Sequence, residues 1–305
     1  MRNPKVSIVV LHLDQREVLL ACLESCGKID YEGHEVTVVE NGPPTEPDWQ
    51  EAAARQVRVL RSPRNVGYAG GNNLGIRDAC EQGADYVLLL NDDTVVASDF
   101  LRILVEAGER EQDVGALGPV IFHLDEPTKI WFAGAEFDRS ACEVKSFDDR
   151  GWAGGVWPSL RDSDYVTGAC VLMNRGTIDR VGLLDERFFL YWEDTDWGLR
   201  VKANGLRNVV VPAARVWHRV SASSGGFGSP LRVYHKTRSH LFFARRHAPG
   251  ALPKLHERFV RDVAWLVVKS TGPDRLKVAW AILAAMRDYH LQRTGAGPAW
   301  LWRGR

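Results

Sequence analysis

The sequence lacks any hydrophobic run long enough to cross a membrane. Among its 305 residues there is no stretch of about 18 consecutive apolar residues, which is the length that a transmembrane helix needs. The first residues, 1–5, do not have the charged and apolar regions of a signal peptide. With 45% hydrophobic residues, the composition also differs from that of a disordered chain. We therefore expect a folded, soluble cytoplasmic protein with one large core, or with one core and an appended segment.

The chain has few cysteines, and their spacing argues against the sites that need them. There are five, an odd number, and only Cys22 and Cys26 lie close together in the sequence. Zinc sites and disulfide-rich domains use paired cysteines at characteristic short spacings. The other three, Cys80, Cys142 and Cys170, have no such neighbour. We expect all five to be reduced and mostly buried as small apolar side chains.

The chain carries no net charge, because 39 Lys and Arg residues balance 39 Asp and Glu residues. The two signs are nevertheless unevenly distributed. Residues 232–305 contain 15 basic and 4 acidic residues, a net charge of +11 that residues 1–231 offset with −11. A basic segment of this kind can contact phospholipid, a phosphorylated substrate or nucleic acid, or it can be a solvated helical surface. The charge pattern is compatible with all four.

Short apolar runs alternate with helix-like segments in the first part of the chain. Four β-branched or leucine-rich runs have the length and composition of buried strands, at residues 6–11, 35–39, 57–60 and 86–90. Apolar spacing predicts helices near residues 15–27, 71–83 and 98–110. Ser98 is the predicted N-cap of the third helix, and Gly83 the residue that ends the second. Alternating strands and helices predict an α/β fold with a doubly wound, mostly parallel sheet.

Polar, loop-forming residues follow each of the four predicted strands. They are His12 to Asp14, Glu40 to Gly42, Arg64 to Gly67 and Asn91 to Asp93. In open α/β sheets, ligands bind outside the carboxyl ends of the strands, where such residues meet. The glycine-rich stretch 67–75 predicts a loop whose backbone a ligand can approach closely, yet it matches neither G-x-G-x-x-G nor a P-loop with its Lys and Ser or Thr. The sequence thus argues against NAD-dependent enzymes and NTPases.

A second acidic cluster, Glu193 to Asp196, lies within an aromatic segment, residues 191–197. Carboxylates beside packed apolar residues are costly unless they pair, bind a metal or take part in chemistry. On a helix that begins near Glu193, Asp196 and Arg200 are i, i+4 neighbours and can form an ion pair, and Glu193 shares their face. Asp194 points to a different side and can face a cleft. We therefore predict a structural role for Asp196 and a separate role for Asp194.

A series of motifs is spread over most of the chain. They are Val39 to Gly42, Arg64 to Asn72, Leu90 to Thr94, Thr167 to Ala169, Val181 to Phe189, Tyr191 to Asp196, and Trp217 with His218. In this order and spacing, over roughly residues 5–245, they resemble family 2 glycosyltransferases, most closely the rhamnosyltransferase-like and galactofuranosyltransferase-like branch. The resemblance implies a GT-A fold, a divalent metal, a nucleoside-diphosphate sugar donor and inversion at the anomeric carbon.

The resemblance also implies a cation site. Asp93 matches the metal-binding aspartate of the family and His218 its distal metal-binding histidine. Mn²⁺ or Mg²⁺ held there would neutralise the diphosphate that leaves during transfer. Asn91 stands where some members carry an acid, which predicts fewer protein carboxylates on the metal. As alternatives, residues 91–93 could form only a turn, and His218 could be a satisfied core histidine.

The same resemblance assigns the catalytic base to Asp194. An inverting transfer needs one carboxylate to remove the proton of the acceptor hydroxyl; alternatively, the acids at 193–196 only stabilise a helix N-terminus. Glu40 stands where the family commonly has an aspartate that contacts the nucleotide, which leaves the identity of the nucleotide open. The alternative for the donor residues after the strands is that they are only turn formers. The residues that we expect to bind the donor are His12, Glu40, Asn41, Arg64, Asn65, Gly71, Asn72 and Asp92.

The chain is expected to have two parts. The GT-A catalytic domain comprises residues 1–231, with a nucleotide-sugar half at about 1–125 and an acceptor half at about 126–231, and a basic helical extension follows at 232–305. Three helices that begin at or near a proline are predicted at residues 230–247, 253–269 and 273–291. Their apolar stripes are flanked by Arg and Lys, which suits peripheral contact with the inner face of a membrane near a lipid-linked acceptor. A helical cap on the catalytic domain or a homodimer contact is the alternative.

Two further features concern the acceptor and the donor. Aromatic side chains in the middle of the chain could form platforms for an acceptor sugar or could be core and rim residues: Trp131, Trp152, Trp157 and Tyr165. Residues 221–229, rich in Ser and Gly, predict a mobile loop that closes over the donor.

Three functions are compatible with the sequence. The first is a metal-dependent inverting glycosyltransferase that moves a sugar from a UDP- or dTDP-sugar to a glycan or lipid-linked acceptor, in polysaccharide or cell wall synthesis. The second is a sugar nucleotidyltransferase, which is disfavoured because no glycine-rich loop with a basic signature follows the first strand. The third is a non-catalytic nucleotide-sugar binding module. We expect no nucleic acid partner for any of them.

Overall fold

The computed structural model describes residues 3–43, 57–147, 160–219, 228–272 and 274–302. Trp152, Trp157 and most of the predicted loop at 221–229 lie outside the described residues. Within them, no helix is long and apolar enough to span a bilayer.

Ten strands of the described chain form one mixed sheet in the order β3-β2-β1-β4-β11-β6-β12-β10, with β5 paired to β12 and β7 to β6. These strands are β1 (Val6–His12), β2 (His34–Asn41), β3 (Val57–Ser62), β4 (Tyr86–Asn91), β5 (Thr94–Val96), β6 (Val114–His123), β7 (Ile130–Phe132), β10 (Arg161–Ser163), β11 (Cys170–Asn174) and β12 (Arg207–His218). A separate antiparallel hairpin contains β8 (Ala135–Asp138) and β9 (Glu143–Ser146). The four predicted strands are the parallel set β1 to β4. β11 is antiparallel to both β4 and β6, whereas β6 and β12 are parallel.

The α-helices of the described chain are α1 (Arg16–Cys26), α2 (Gly67–Glu81), α3 (Phe100–Arg110), α4 (Arg175–Val181), α5 (Glu193–Ala203), α6 (Pro230–His247), α7 (Leu252–Val268) and α8 (Arg275–His290). Short 3₁₀ helices are formed by Pro249–Ala251 and Ala299–Trp302. Ser98 was predicted as the N-cap of α3, which is wrong: α3 begins at Phe100, and the Ser98 carbonyl accepts a hydrogen bond from the Asp30 amide. Gly83 follows the end of α2 with a φ of +74°, as predicted.

The sheet is covered on both faces, as an α/β fold requires. Along β1, Ile8 and Val10 pack in one core layer with Leu19 of α1 and Phe100 of α3. Val9, between them, lies in the second layer, which includes Ile76 of α2. Because successive strand residues face opposite sides, one buried strand serves both cores. The predicted α/β class is confirmed.

The glycine-rich stretch is the start of a helix, and the loop predicted there is wrong. α2 begins at Gly67, whose φ is +81°, a conformation that side chains with a Cβ rarely adopt. A Cβ on Gly67 would also lie 2.3 Å from the Phe189 carbonyl oxygen. One turn later, a Cβ on Gly71 would lie 2.3 Å from Cδ1 of Leu11 on β1. The glycines therefore allow close packing of a helix on a strand.

The three C-terminal helices were predicted correctly to within about two residues. They form a third apolar cluster that includes Phe243 of α6, Phe259 of α7 and Ile282 of α8. Phe188, from the segment before α5, is buried in the same cluster. The helices therefore pack against the segment that leads into α5. The five cysteines are free and all but Cys80 are buried, as expected.

Candidate active site

A cavity of about 850 Å³ opens at the carboxyl ends of β1 and β4 and extends to α6 and α7. Its two sides differ in charge. One side, here called the acidic wall, consists of Asp14, Asp92, Asp93, Glu193 and Asp194. The other side, called the basic wall, consists of Arg232, Lys236 and Arg258 on α6 and α7. The uneven charge of the sequence thus becomes a difference between two sides of one cavity.

Asp93 and His218 face each other in the acidic wall. β12 pairs with β5 so that His218 lies opposite Thr94, which brings His218 next to Asp93. The Asp93 Oδ1 and His218 Nε2 atoms are 2.9 Å apart, and both side chains are almost fully buried. Neither atom has a hydrogen-bond partner within the described chain, and neither has His218 Nδ1. Buried polar atoms of this kind are rare in folded proteins unless they hold a ligand.

Asp92 lies beside this pair and accepts a hydrogen bond from His12. The His12 Nδ1 and Asp92 Oδ2 atoms are 2.7 Å apart. Burial raises the pKa of Asp92 to about 6, and the charge of Asp93 adds to this shift, whereas the hydrogen bond from His12 opposes it. His12 therefore orients Asp92 from behind the wall.

Asn41 and Asn65 line the cavity at the ends of β2 and β3. Asn41 Nδ2 donates to the Gly67 carbonyl at 3.0 Å, and its Oδ1 accepts from the Val66 amide at 2.9 Å. Asn65 Oδ1 accepts from the Gly67 amide at 2.8 Å. These two amides fix the turn that leads into α2, so the cavity edge is rigid here.

The other residues predicted at the donor stand outside the cavity wall, although all of them are described. His12 lies behind Asp92, and Glu40 pairs with Arg61 at 2.7 Å. Asn72 Nδ2 donates to the Tyr68 carbonyl within α2 at 3.0 Å. The remaining two are Arg64, which is exposed, and Gly71, which packs on β1. Their donor-binding roles stay predictions.

Asp194 projects into the cavity from the first turn of α5. Its Oδ2 accepts from the Gly168 amide at 3.0 Å, and its Oδ1 accepts from the Thr195 amide at 2.6 Å. Burial raises the pKa of Asp194, whereas these backbone hydrogen bonds oppose the shift. A fixed carboxylate with a raised pKa is suited to accept a proton near neutral pH.

Glu193 is a second carboxyl group in the same wall, and the sequence analysis did not single it out. It is buried, and its Oε2 has no hydrogen-bond partner within the described chain. Burial raises the pKa of Glu193 well above its usual value, and the charge of Asp194 adds to the shift. Helix periodicity placed it with Asp196, because the backbone before the helix could not be foreseen.

That backbone is unusual. Tyr191 and Trp192 have φ values of +69° and +74°, in the left-handed region that bulky residues rarely adopt. Such residues cost about 1–3 kcal/mol each unless the surrounding structure holds them. The Trp192 ring stacks on the His240 ring, with centroids 4.2 Å apart. The side chains of Arg232 and Lys236 lie 5.7 and 5.4 Å from the centre of the Tyr191 ring. Contacts from α6 therefore hold the start of α5.

Asp196 forms the predicted ion pair with Arg200, at 2.9 Å. It is fully buried and also accepts from Arg246 and His247 at the end of α6, at 2.6 and 2.8 Å. Burial alone would raise the pKa of Asp196, but the hydrogen bond from His247 and the charges of Arg200 and Arg246 lower it. Its structural role is thus larger than the sequence predicted.

The basic wall is the part of the cavity that sequence reasoning missed. Burial and the neighbouring charge of Arg232 lower the pKa of Lys236. Arg258 pairs with Glu143 at 2.8 Å. Burial lowers the pKa of His240 to about 4, so this ring is neutral at pH 7. The neutral ring donates from Nε2 to the Cys142 carbonyl at 2.7 Å and accepts at Nδ1 from Arg258 at 3.3 Å.

Two of the four aromatic side chains predicted near the acceptor line the cavity, Trp131 and Tyr165. The Trp131 ring lies 4.5 Å from the His218 ring, centre to centre. It therefore sits at the Asp93 side of the cavity.

Comparison with known proteins gives one consistent result. Residues 4–247 match the family model described as "Glycosyltransferase like family 2". The N-acetylglucosaminyl-diphospho-decaprenol L-rhamnosyltransferase of Mycobacterium tuberculosis is 30% identical over 242 residues, which cover 70% of this chain and 75% of the relative. A galactofuranosyltransferase of Mycolicibacterium smegmatis is 27% identical over 206 residues, 66% of each chain. These relatives match the rhamnosyltransferase-like and galactofuranosyltransferase-like branch that the sequence resembles.

Solved structures share the fold at low sequence identity. GalNAc-T7, solved with UDP, GalNAc and Mn²⁺, has a TM-score of 0.62 at 15% identity and covers 94% of this chain, which spans 55% of that structure. A mannosyltransferase from Pyrobaculum calidifontis, solved with GDP-Man and Mn²⁺, has a TM-score of 0.56 at 15% identity, covering 95% of this chain and 88% of that one. The fold is the GT-A fold, as the sequence resemblance implies.

Proposed function

Because the chain belongs to glycosyltransferase family 2, we propose that it moves a sugar, with inversion at the anomeric carbon, from a UDP- or dTDP-sugar to a hydroxyl group of a lipid-linked or glycan acceptor. One observation carries this proposal. Asp194 and the Asp93–His218 pair, which come from distant parts of the sequence, line the same cavity. A proton acceptor and a cation-binding pair are the two groups that this transfer needs.

In this proposal Asp93 and His218 hold Mn²⁺ or Mg²⁺. Two ligand atoms in neighbouring positions of an octahedral ion, each about 2.1 Å from it, are about 3.0 Å apart. The separation of Asp93 Oδ1 and His218 Nε2 is 2.9 Å, without a hydrogen bond between them. An imidazole ligand favours Mn²⁺ over Mg²⁺. When bound, the cation neutralises the charge that develops on the leaving diphosphate.

Asp194 removes the proton of the acceptor hydroxyl as its oxygen attacks the anomeric carbon. The hydrogen bonds from the Gly168 and Thr195 amides hold the carboxylate in one orientation. Its raised pKa makes it a better proton acceptor than an exposed aspartate. Orientation by fixed backbone groups lowers the entropic cost of aligning base and hydroxyl.

Arg232 and Lys236 bind the phosphate groups of a lipid-linked acceptor. Both line the cavity beside Tyr191, three residues before Asp194. The mycobacterial rhamnosyltransferase named above acts, by its name, on a diphosphate-linked lipid. Two neighbouring cations are the side chains that such an acceptor needs. This places the reaction in polysaccharide or cell wall synthesis at the inner face of the membrane.

The donor lies along the strand ends. Asn41, Asn65 and Asp92 line the cavity there and are proposed to contact it directly. For the five donor residues outside the wall, we propose that they act by holding this edge. His12 orients Asp92, and Gly71 and Asn72 fix α2. Glu40 and Arg64 belong to the turns on either side of β3.

The test compares Asp194→Asn with a matched control, Asp179→Asn. Asp179 is an exposed aspartate of α4 whose only role in the structure is an i, i+4 pair with Arg175. A panel of UDP- and dTDP-sugars with Mn²⁺ is first screened by thermal shift, because a bound ligand stabilises the folded state. Release of nucleoside diphosphate in the presence of acceptor is then measured. We expect Asp194→Asn to lose transfer by at least about 100-fold while it keeps the donor thermal shift. Unchanged transfer by Asp194→Asn would remove this residue from the mechanism.

A further inference from the structure

The exposed large apolar side chains of the described chain are concentrated in one region. All nine lie between residues 260 and 300, and seven of them belong to α7 and α8. The exposed fraction reaches 76% for Val268, 66% for Trp280 and 56% for Trp265. Single exposed apolar residues are ordinary, but a contiguous group marks a surface that contacts something else.

These side chains form a second apolar face on helices that already have one. The inward stripe of α7 contains Leu255, Phe259, Val263 and Leu266, which pack in the C-terminal cluster. A different stripe of α7, with Val260, Val267 and Val268 at helical spacing, is exposed. α8 repeats this pattern with exposed Leu276, Trp280 and Leu283. The inward stripes satisfy the core, so the outward ones are not needed for it.

The end of α7 and the start of α8 meet at a short turn. The Ser270 amide donates to the Trp265 carbonyl, and the Arg275 side chain donates to the Ser270 carbonyl. The exposed apolar residues on either side of this turn are therefore close in space. We call this surface the α7–α8 tip: Val260, Trp265, Val267, Val268, Leu276, Trp280 and Leu283.

The surroundings of the tip are basic. Residues 252–290 contain seven Lys and Arg and four Asp and Glu, a net charge of +3, and the whole segment 232–305 carries +11. In a twofold dimer the same patch meets itself, which would bring two basic rims together. The charge therefore argues against a second copy of this chain and for a negatively charged partner surface.

We propose that the α7–α8 tip docks on an anionic lipid bilayer. Tryptophan is the side chain that favours the boundary between lipid headgroups and acyl chains. Amphipathic helices with Lys and Arg beside such residues lie in the plane of that boundary and are attracted to anionic lipids. The tip supplies two exposed tryptophans, and Lys269 and Lys277 lie next to it in the sequence.

Docking at the tip brings the cavity close to the membrane. Arg258 and Phe259 on α7 line the cavity, and Trp265 follows six residues after Phe259. At about 1.5 Å per residue, this is about 9 Å along the helix axis. An acceptor anchored in the bilayer could thus reach the cavity without leaving the membrane.

The inference goes beyond the proposed function, because vesicle binding needs neither donor nor acceptor. The full chain is sedimented with sucrose-loaded vesicles of phosphatidylcholine, with and without phosphatidylglycerol, at low salt. We expect binding to the vesicles with phosphatidylglycerol, and weaker binding as NaCl is added, because salt screens the charges. The Trp265→Ala/Trp280→Ala variant should lower the partition coefficient at least about tenfold.

Trp300→Ala is the matched control, since Trp300 is also exposed and in the basic segment but lies outside the tip. It should keep the vesicle binding of the unchanged chain. All three proteins are compared by circular dichroism and thermal melting, and because the replaced side chains are exposed, their melting temperatures should agree. Loss of binding by Trp300→Ala to the same degree would overturn the assignment to the tip.

Three other results would overturn the proposal. The first is no binding to either vesicle at low salt, and the second is equal binding to vesicles with and without phosphatidylglycerol. The third is a stable dimer in light scattering that Trp265→Ala/Trp280→Ala dissociates, because a second copy would then cover the tip. A failed vesicle experiment would leave the Asp194 experiment untouched, since sugar transfer to a soluble acceptor is measured separately.

Discussion

Asp196 of α5 accepts a hydrogen bond of 2.6 Å from Arg246 at the end of α6, although its side chain is completely buried. The contact ties the helix that begins with Glu193 and Asp194 to the basic C-terminal helices. Arg200 and His247 complete the set around the same carboxylate, at 2.9 and 2.8 Å. The C-terminal segment is therefore part of what positions the proposed base.

Asp196→Ala should destabilise the protein strongly. It would leave three cationic or polar partners around an empty buried site, and removing one partner of a buried ion pair costs about 3–5 kcal/mol. Arg200 and Arg246 keep some solvent contact, so we expect a loss near the lower end, about 2–3 kcal/mol. Urea unfolding measures it. Asp179→Ala, which removes an exposed i, i+4 pair, should cost less than about 0.5 kcal/mol.

His218→Ala should weaken cation binding without unfolding the protein. The imidazole is one of the two proposed ligands, and loss of a ligand is expected to lower affinity for Mn²⁺ in the presence of UDP at least about tenfold, by analogy with groups that only support ligands. Isothermal titration calorimetry measures this directly. His256→Ala is the control, because His256 contacts His290 on the far helices. Equal Mn²⁺ affinity in both variants would contradict the assignment.

The transfer rate should fall on the acid side of the pH profile at a higher pH than an ordinary aspartate would give. The base must be ionised to accept a proton, and burial raises the pKa of Asp194. Activity is therefore lost as the pH falls through that raised value. Measurement of kcat across about pH 4 to 9 should show one acidic limb. An acid limb at the pKa of an exposed aspartate would count against a buried base.

Glu193→Gln should stabilise the protein at high pH and leave it unchanged at low pH. Because burial raises the pKa of Glu193, the folded state holds this proton more tightly than the unfolded chain does. The unchanged protein therefore loses stability as the pH rises from the unfolded pKa to the folded one. The neutral amide avoids that loss.

Urea midpoints at about pH 4 and pH 8 test the Glu193 prediction, since they bracket the ordinary glutamate pKa. The midpoint of Glu193→Gln should exceed that of the unchanged protein only at the higher pH. Glu257→Gln, an exposed glutamate of α7, should show no such pH dependence. A gain for Glu193→Gln of the same size at both pH values would mean that its charge is not involved.

Local signals in the sequence predicted much of the fold and part of the site. Proline at the first turn and the apolar spacing of residues 230–247 predicted α6 with the bounds observed. The i, i+4 rule gave the Asp196–Arg200 pair and separated Asp194 from it. Each of these depends on residues within one or two helical turns, where side-chain positions follow from the helix itself.

Features that depend on distant contacts could not be predicted. Helix spacing grouped Glu193 with Asp196, but the left-handed backbone at Tyr191 and Trp192 puts Glu193 in the cavity wall, and contacts from α6 hold that backbone. The basic wall could not be foreseen, because charge counting shows that a segment is basic and not what it faces. The glycine-rich stretch was assigned to a loop, because single-residue preferences disfavour helix while close packing on β1 favours it.

The left-handed pair Tyr191–Trp192 also has a consequence for which acceptors can react. The ring of Tyr191 lies under Arg232 and Lys236, and Asp194 follows it by three residues of backbone with no freedom to extend. With the roles proposed above, the span from the acceptor's phosphates to its reacting hydroxyl is fixed, as on a ruler. An acceptor with one sugar more between the two would bring the wrong hydroxyl to the base, so the enzyme would count the sugars of its acceptor by length.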